Sequence, residues 1–131
     1  MPISFDSALG IHQQAVAVRA QRTEMLASNI ANADTPGYKA KDIDFRAALQ
    51  NAQTQSVGTL KRTHANHIQS NMNAASSETL YRVPNQPSLD GNTVDEQLEK
   101  SAFAENAMRY QASITFLDRK FKGMLSAIKG E

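Results

Sequence analysis

The sequence predicts a mainly α fold. Long N- and C-terminal helices pair as an antiparallel coiled coil, with a short helix and an irregular, partly extended middle segment. Three observations carry this reading. Apolar residues recur every seven positions across residues 4–33, and again across 93–129. Between them, residues 34–92 are punctuated by Pro, Gly, Asn and Ser, which break regular structure. The 131 residues suit one domain built from those three parts.

In the N-terminal helix, Leu9, Val16, Thr23 and Ile30 form a heptad row, with Leu26 and Phe5 in the companion position. His12 and Arg19 interrupt that companion row. A second apolar row, Ile11, Val18 and Met25, lies two residues away from the first. Two residues turn about 200° around an α-helix, so this helix is apolar on two sides.

The C-terminal helix opens with Thr93-Val94-Asp95-Glu96, the pattern of a capping box. Its expected pairing seam alternates Ala107, Ile114, Phe121 and Ile128 with Phe103, Tyr110, Leu117 and Met124. Glu96–Lys100, Glu105–Arg109 and Asp118–Lys122 are acid-before-base pairs four residues apart, the favourable order. Met108 and Phe116 lie off the seam.

The middle segment begins with a turn. Thr35-Pro36-Gly37-Tyr38 fits a type II turn, with Pro presetting φ and Gly supplying the positive φ that follows. Residues 45–52 read as a short third helix, capped by Asp42 or Asp44. Residues 53–79, rich in Gln, Ser, Asn and Thr, read as loop with one extended piece near 60–63. Residues 80–92, with two prolines and a glycine, read as extended and turning.

The two-sided helix has a consequence. Pairing of the long helices uses one side of each. The other side needs a cover, either the middle segment folded over it or a neighbouring subunit. Exposed apolar rows usually mark an interaction surface, so Ile11, Val18, Met25, Met108 and Phe116 are the expected inter-subunit residues.

Composition narrows the function. Lys plus Arg number 14 and Asp plus Glu 13, which argues against nucleic acid as a partner. Cysteine is absent, excluding a disulfide framework, a thiolate nucleophile and a cysteine zinc site. No apolar run reaches the roughly 20 residues of a membrane span. The N-terminus lacks the pattern of a cleaved secretory signal. Tryptophan is also absent and alanine is abundant, so the core is expected to be lean.

Catalytic chemistry has thin support. His64 and His67 stand three apart in a polar stretch without further ligands. Asp42 and Asp44 precede a helix, where capping explains them better than acid–base work. No serine has a triad-like partner in view, and no glycine-rich phosphate loop occurs. The chain is read as a non-enzyme, with no cofactor or metal.

The stretch SNIANADTPGYKA, residues 28–40, carries more than a helix stop. Pro36 and Gly37 are explained by the turn, but Asn29, Asn32 and Tyr38 are not. The set Asn29, Ile30, Ala31, Asn32, Asp34, Thr35, Gly37 and Tyr38 resembles the N-terminal signature of the bacterial flagellar axial proteins, the rod, hook and hook-associated family. LYRVPNQPSLDGNTVD, residues 80–95, is similar to a rod member of that family, and the short length suits one.

The resemblance implies a structural subunit of the proximal rod, whose terminal helices pair and line a hollow axial shaft. It implies export through the flagellar type III apparatus without signal cleavage, and a place in the periplasmic part of the basal body. The implied partners are copies of itself, other rod proteins, the rod-to-MS-ring adaptor, the MS ring and the export gate. On this reading the turn after Asn32 sends residues 39–45 outward to adjacent subunits. Tyr38 packs at that junction, and Asn29 and Asn32 cap it or bond a neighbour. The competing reading is a soluble helical adaptor or export chaperone, which would share the helices but has no reason to carry the signature.

Overall fold

The structure, a computed structural model, describes residues 8–57, 79–84 and 87–130. Its elements in order are α1 (Ile11–Ala31), β1 (Lys41–Ile43), α2 (Phe45–Val57), β2 (Thr79–Tyr81) and α3 (Glu96–Lys129). The expected loop around residues 60–63 lies outside the described residues, as do His64 and His67.

α1 and α3 pack antiparallel. Asn29 reaches Glu99, Thr23 reaches Asn106, and the His12 ring lies 6.2 Å from that of Phe116. The contact therefore moves down α1 as it moves up α3. α3 has 34 residues against 21 in α1. Its C-terminal part continues past the level of Ile11, the first residue of α1.

α1 is the central element, because the chain doubles back along it. Asn29 bonds Lys41, Arg22 meets Asp42, the Arg19 guanidinium stacks 4.1 Å over the Phe45 ring, and Gln14 donates to the Ala52 carbonyl. Val18, Arg22, Met25 and Asn29 thus form one helical stripe facing β1 and α2. Val18 is 4% exposed and clusters with Ile43 and Ala48, with Met25 and Phe45 packed alongside. The expectation that Val18 and Met25 face another subunit is therefore corrected. The second apolar side of α1 is covered from within the chain, by the middle segment. Ile11 is half-buried. Residues 39–45 likewise do not cross outward: β1 pairs antiparallel with β2, Lys41 opposite Tyr81 and Ile43 opposite Thr79.

The seam on α3 sits one residue away from its expected place on one side. Phe103, Tyr110, Leu117 and Met124 are half-buried, in line with expectation. The companion row facing α1 is Glu99, Asn106 and Ser113, all buried. Ala107, Ile114, Phe121 and Ile128 are exposed instead. A polar row can occupy a seam when hydrogen bonds replace water. Asn106 Nδ2 donates to the Arg19 carbonyl at 3.1 Å and to Thr23 Oγ1 at 2.9 Å. Ser113 Oγ donates to the Arg109 carbonyl four residues back. On α1, Leu9 and Leu26 are buried, and Val16, Thr23 and Ile30 half-buried.

Helix ends follow local chemistry. Gly10, at φ 56°, interrupts the N-terminal helix between helical residues 8–9 and α1, and residues 4–7 lie outside the described residues. Asp44 Oδ1 accepts from the N–H groups of Arg46 and Ala47 and caps α2. α2 runs past residue 52 to Val57, since no Pro or Gly interrupts residues 53–57. α3 is capped by Asp95, which accepts from Leu98 N–H at 3.1 Å, and not by a Thr93–Glu96 box. Thr93 is engaged elsewhere: its hydroxyl oxygen accepts from Ala40 N–H at 2.8 Å.

The turn at residues 35–38 forms as expected, with Tyr38 N–H donating to the Thr35 carbonyl at 3.3 Å and Gly37 at φ 73°. A Cβ on Gly37 would meet nothing within 4 Å, so conformation alone restricts the position. Gly37→Val should lower stability by about 1–3 kcal/mol, the cost of a bulky residue held at positive φ. Gly37→Asn, which tolerates that region, should lose less. Urea unfolding of both variants checks the order.

Candidate functional site, a polar junction at the end of the first helix

The signature residues converge on one place, the exit of α1. Asn29 is fully buried. Its Nδ2 donates to the Lys41 carbonyl at 2.7 Å and to Glu99 Oε2 at 3.1 Å. Its Oδ1 accepts from Lys41 N–H at 3.1 Å and from the Tyr38 hydroxyl at 3.3 Å. The amide thus pairs with both backbone groups of Lys41, as a neighbouring strand would. Only a side chain with two donors and an acceptor at this length can do so.

Asn32 closes the helix end. Its Nδ2 donates to the Ser28 carbonyl at 2.8 Å, and its Oδ1 accepts from the Thr35 hydroxyl at 3.2 Å. The last carbonyls of a helix lack intrahelical partners. Here the Ser28, Asn29 and Ile30 carbonyls accept from the N–H groups of Asn32 and Ala33, and buried Asn92 holds the turn just past the helix: its Nδ2 lies 3.1, 2.7 and 3.0 Å from the carbonyls of Asn32, Ala33 and Thr35. Its Oδ1 accepts from Val94 N–H at 2.8 Å. Asp90 and Thr93 hold the same segment, through Gly37 N–H to the Asp90 carbonyl and Thr93 N–H to the Tyr38 carbonyl. Ile30 is half-buried, while Ala31, Asp34, Thr35 and Pro36 are exposed.

Beneath this lies an ionic chain. Arg22 grips Asp42 with two bonds, Nε to Oδ1 at 2.8 Å and Nη2 to Oδ2 at 2.9 Å. Arg82 bridges Asp42 Oδ2 at 2.5 Å and Glu99 Oε1 at 2.8 Å. Glu99 is 1% exposed, so its charge depends on Arg82 and Asn29. Burial by itself pushes the Asp42 carboxyl up; the hydrogen bonds from Arg22, Arg82 and Ile43 N–H overcome that and hold it below the usual range. The hydrogen bonds that Arg22 donates to Asp42 likewise raise the guanidinium pKa, against its partial burial.

The arrangement is suited to holding chain segments together. Both carboxylates weighed for acid–base work are committed, Asp42 to two arginines and Asp44 to a helix cap. Among the described residues no group of three or more His, Asp and Glu side chains could hold a metal ion. No described helix is long and apolar enough to cross a membrane.

Sequence reasoning missed Arg22, Arg82, Asn92 and Glu99. Glu99, Asn106 and Ser113 do repeat every seven residues, but polarity hides such a row from a search for apolar periodicity.

Asp42→Asn should cost about 1–3 kcal/mol at neutral pH, because it weakens both arginine contacts. The folded-state pKa of Asp42 lies below its unfolded value. Its contribution is therefore full above about pH 4 and fades as pH falls through the folded-state value. The stability gap between wild type and Asp42→Asn should narrow on acidification. A gap that is constant from neutral to strongly acidic pH in urea titrations contradicts this assignment.

A family model described as flagella basal body rod protein matches residues 9–39, the span from the start of α1 through the turn. The flagellar basal body rod protein FlgB of Aeromonas hydrophila is 52% identical over 132 residues, covering 100% of this chain and 99% of that protein. FlgB of Cereibacter sphaeroides strain ATCC 17029 is 51% identical over 127 residues, covering 97% and 98%. FlgB of Salmonella typhimurium strain LT2 is 46% identical over 131 residues, covering 95% of each. With half of the residues identical along nearly the whole of both chains, this chain belongs to the FlgB family of flagellar basal body rod proteins.

Proposed function

We propose that this chain is a structural subunit of the proximal rod, assembling with copies of itself and with other rod proteins into a hollow axial shaft. The observation that carries the reading is the near-complete coverage by rod proteins, which includes the whole polar junction and both long helices. Its adjoining partners at the rod base are the rod-to-MS-ring adaptor, the MS ring and the flagellar type III export gate. It reaches the periplasmic part of the basal body through that gate, without signal cleavage.

The architecture fits such a role. The junction fastens the exit of α1 to the start of α3, so the helix pair can act as one stiff piece. α3 meanwhile keeps large apolar side chains outside: Met108, Ile114, Phe116, Phe121, Leu125 and Ile128 are exposed. A solitary soluble chain gains nothing from such groups, whereas an assembly buries them. An adaptor or chaperone would not require the rod signature at residues 29–38.

Deletion of the gene should leave basal bodies with membrane rings and no rod, visible by electron microscopy of purified particles. The wild-type copy should restore the rod and motility. Normal rods in the deletion strain would overturn the reading.

A further inference from the structure

The two-stranded sheet has one closed edge and one open edge. Arg82 N–H donates to the Ala40 carbonyl at 2.9 Å. In an antiparallel pair, residues that exchange ladder bonds alternate with residues whose backbone groups point outward. Lys41 stands opposite Tyr81, and Ile43 opposite Thr79. The outward groups are therefore those of Lys41 and Ile43 on β1, and of Thr79 and Tyr81 on β2. The same alternation turns Val83 N–H outward.

Side chains close the β1 edge. Asn29 takes both the N–H and the carbonyl of Lys41, and Asp42 Oδ1 accepts from Ile43 N–H at 2.8 Å. No described residue does the same for the outward groups of Thr79 or Tyr81. The side chains on this edge are open as well: Leu80 is 48%, Tyr81 67% and Val83 89% exposed. Folded proteins normally cover such an edge, charge it or keep it short. β2 is kept short, with three residues and Pro84 soon after, but its apolar side chains are left bare.

The edge itself specifies what can cover it. Outward N–H and carbonyl groups in a row match another extended backbone, the complement used in strand addition. Beside Tyr81 and Thr79, between α1 and the sheet, lies an open hollow of about 340 Å³ that Met25 and Tyr38 also line. Its two charged liners, Glu24 and Lys41, are opposite in sign, so an uncharged side chain suits it. A second copy fits less well. With the β1 edge closed, the described residues of a second copy offer only their own β2. Edge against like edge is a two-fold contact that closes a dimer, and a shaft whose copies all point one way has no such axis.

We propose that β2 receives an extended segment of a different basal-body protein, added as a third strand along Thr79–Tyr81, with an uncharged apolar side chain of that segment set in the hollow beside Tyr81. The proposal rests on the rod reading and adds to it the kind of contact that holds an unlike neighbour.

Tyr81→p-benzoylphenylalanine, introduced in cells whose own copy is deleted, places a photoreactive group at the edge. Basal bodies are irradiated and purified, and the cross-linked peptides are identified by mass spectrometry. The product should join position 81 to one segment of a different basal-body protein. Thr79→Pro and Val83→Pro, each added to that chain, remove an outward N–H and leave the ladder bonds of Leu80 and Arg82 in place, a substitution that sheet edges tolerate. Each should abolish the product, while Thr79→Ala and Val83→Ala keep it. Circular dichroism of the purified proline variants should match that of the parent, and two positions guard against loss of fold at either. Products joining two copies of this chain, or position 81 to residues 58–78 of its own chain, would overturn the proposal. So would proline variants that keep the product, alanine variants that lose it, or no product in basal bodies that contain the chain. All of these leave the rod reading standing. Basal bodies with rods but without the chain would overturn the rod reading itself, and the proposal with it.

Discussion

The buried carboxylate of Glu99 constrains the rest of this structure. A charge removed from water must be paired, and a half-satisfied one is strongly destabilising. Its two oxygens take Asn29 from α1 and Arg82 from the residue after β2. Arg82 also holds Asp42, and Asp42 holds Arg22. Three other segments of the chain, α1, β1 and the residue after β2, are thereby tied to one carboxylate on α3. Replacement of such a group by a hydrophobe is often neutral for stability, so the value of the arrangement lies in specificity. Sliding α3 by one turn along α1 would strand Glu99 and Asn106 together. A register set in this way suits a helix pair whose apolar seam is too irregular to set it unaided.

The lean core follows from the same design. Among the described residues the buried apolar side chains are Leu9, Val18, Leu26 and Ile43 with three alanines, Ala40, Ala48 and Ala52. Small residues let α2 and β1 lie close against α1. They contribute little burial each, at roughly 25 cal/mol per Å² of apolar surface. Hydrogen bonds and ion pairs therefore define more of the fold than is usual. The larger apolar groups, Phe121, Leu125 and Ile128 among them, sit outside. A subunit that keeps its bulky side chains on the surface and its polar groups inside has its interior organised for shape and its exterior for assembly.

How much of this was legible beforehand differs by element. The long helices announced themselves through heptads, and the turn through Pro36 and Gly37. The signature asparagines stood out as residues that a plain helix stop does not need, but their targets did not. Asn29 pairs with Lys41 and Glu99, and Asn92 with three carbonyls in the turn just past α1. Those partners lie as far as 70 residues apart in sequence. The apolar rows of α1 were visible too, yet what covered the second row was not. The answer depended on a short strand and a helix doubling back, held by Arg22 and Asp42.

The sequence by itself determined the class of the protein, its two long helices, the site of its sharp turn and its membership in a flagellar family. All of these rest on local patterns: periodicity, a Pro-Gly pair and a contiguous signature. The tertiary structure alone decided which heptad row of α3 faces inward, where Thr93 and Asp42 spend their hydrogen bonds, and which apolar groups remain outside. Heptad spacing constrains a helix to a stripe but leaves open which neighbouring stripe is buried. That choice turned on pairing the Glu99 carboxylate with Asn29 and Arg82 and the Asn106 amide nitrogen with Arg19 and Thr23, partners far along the chain.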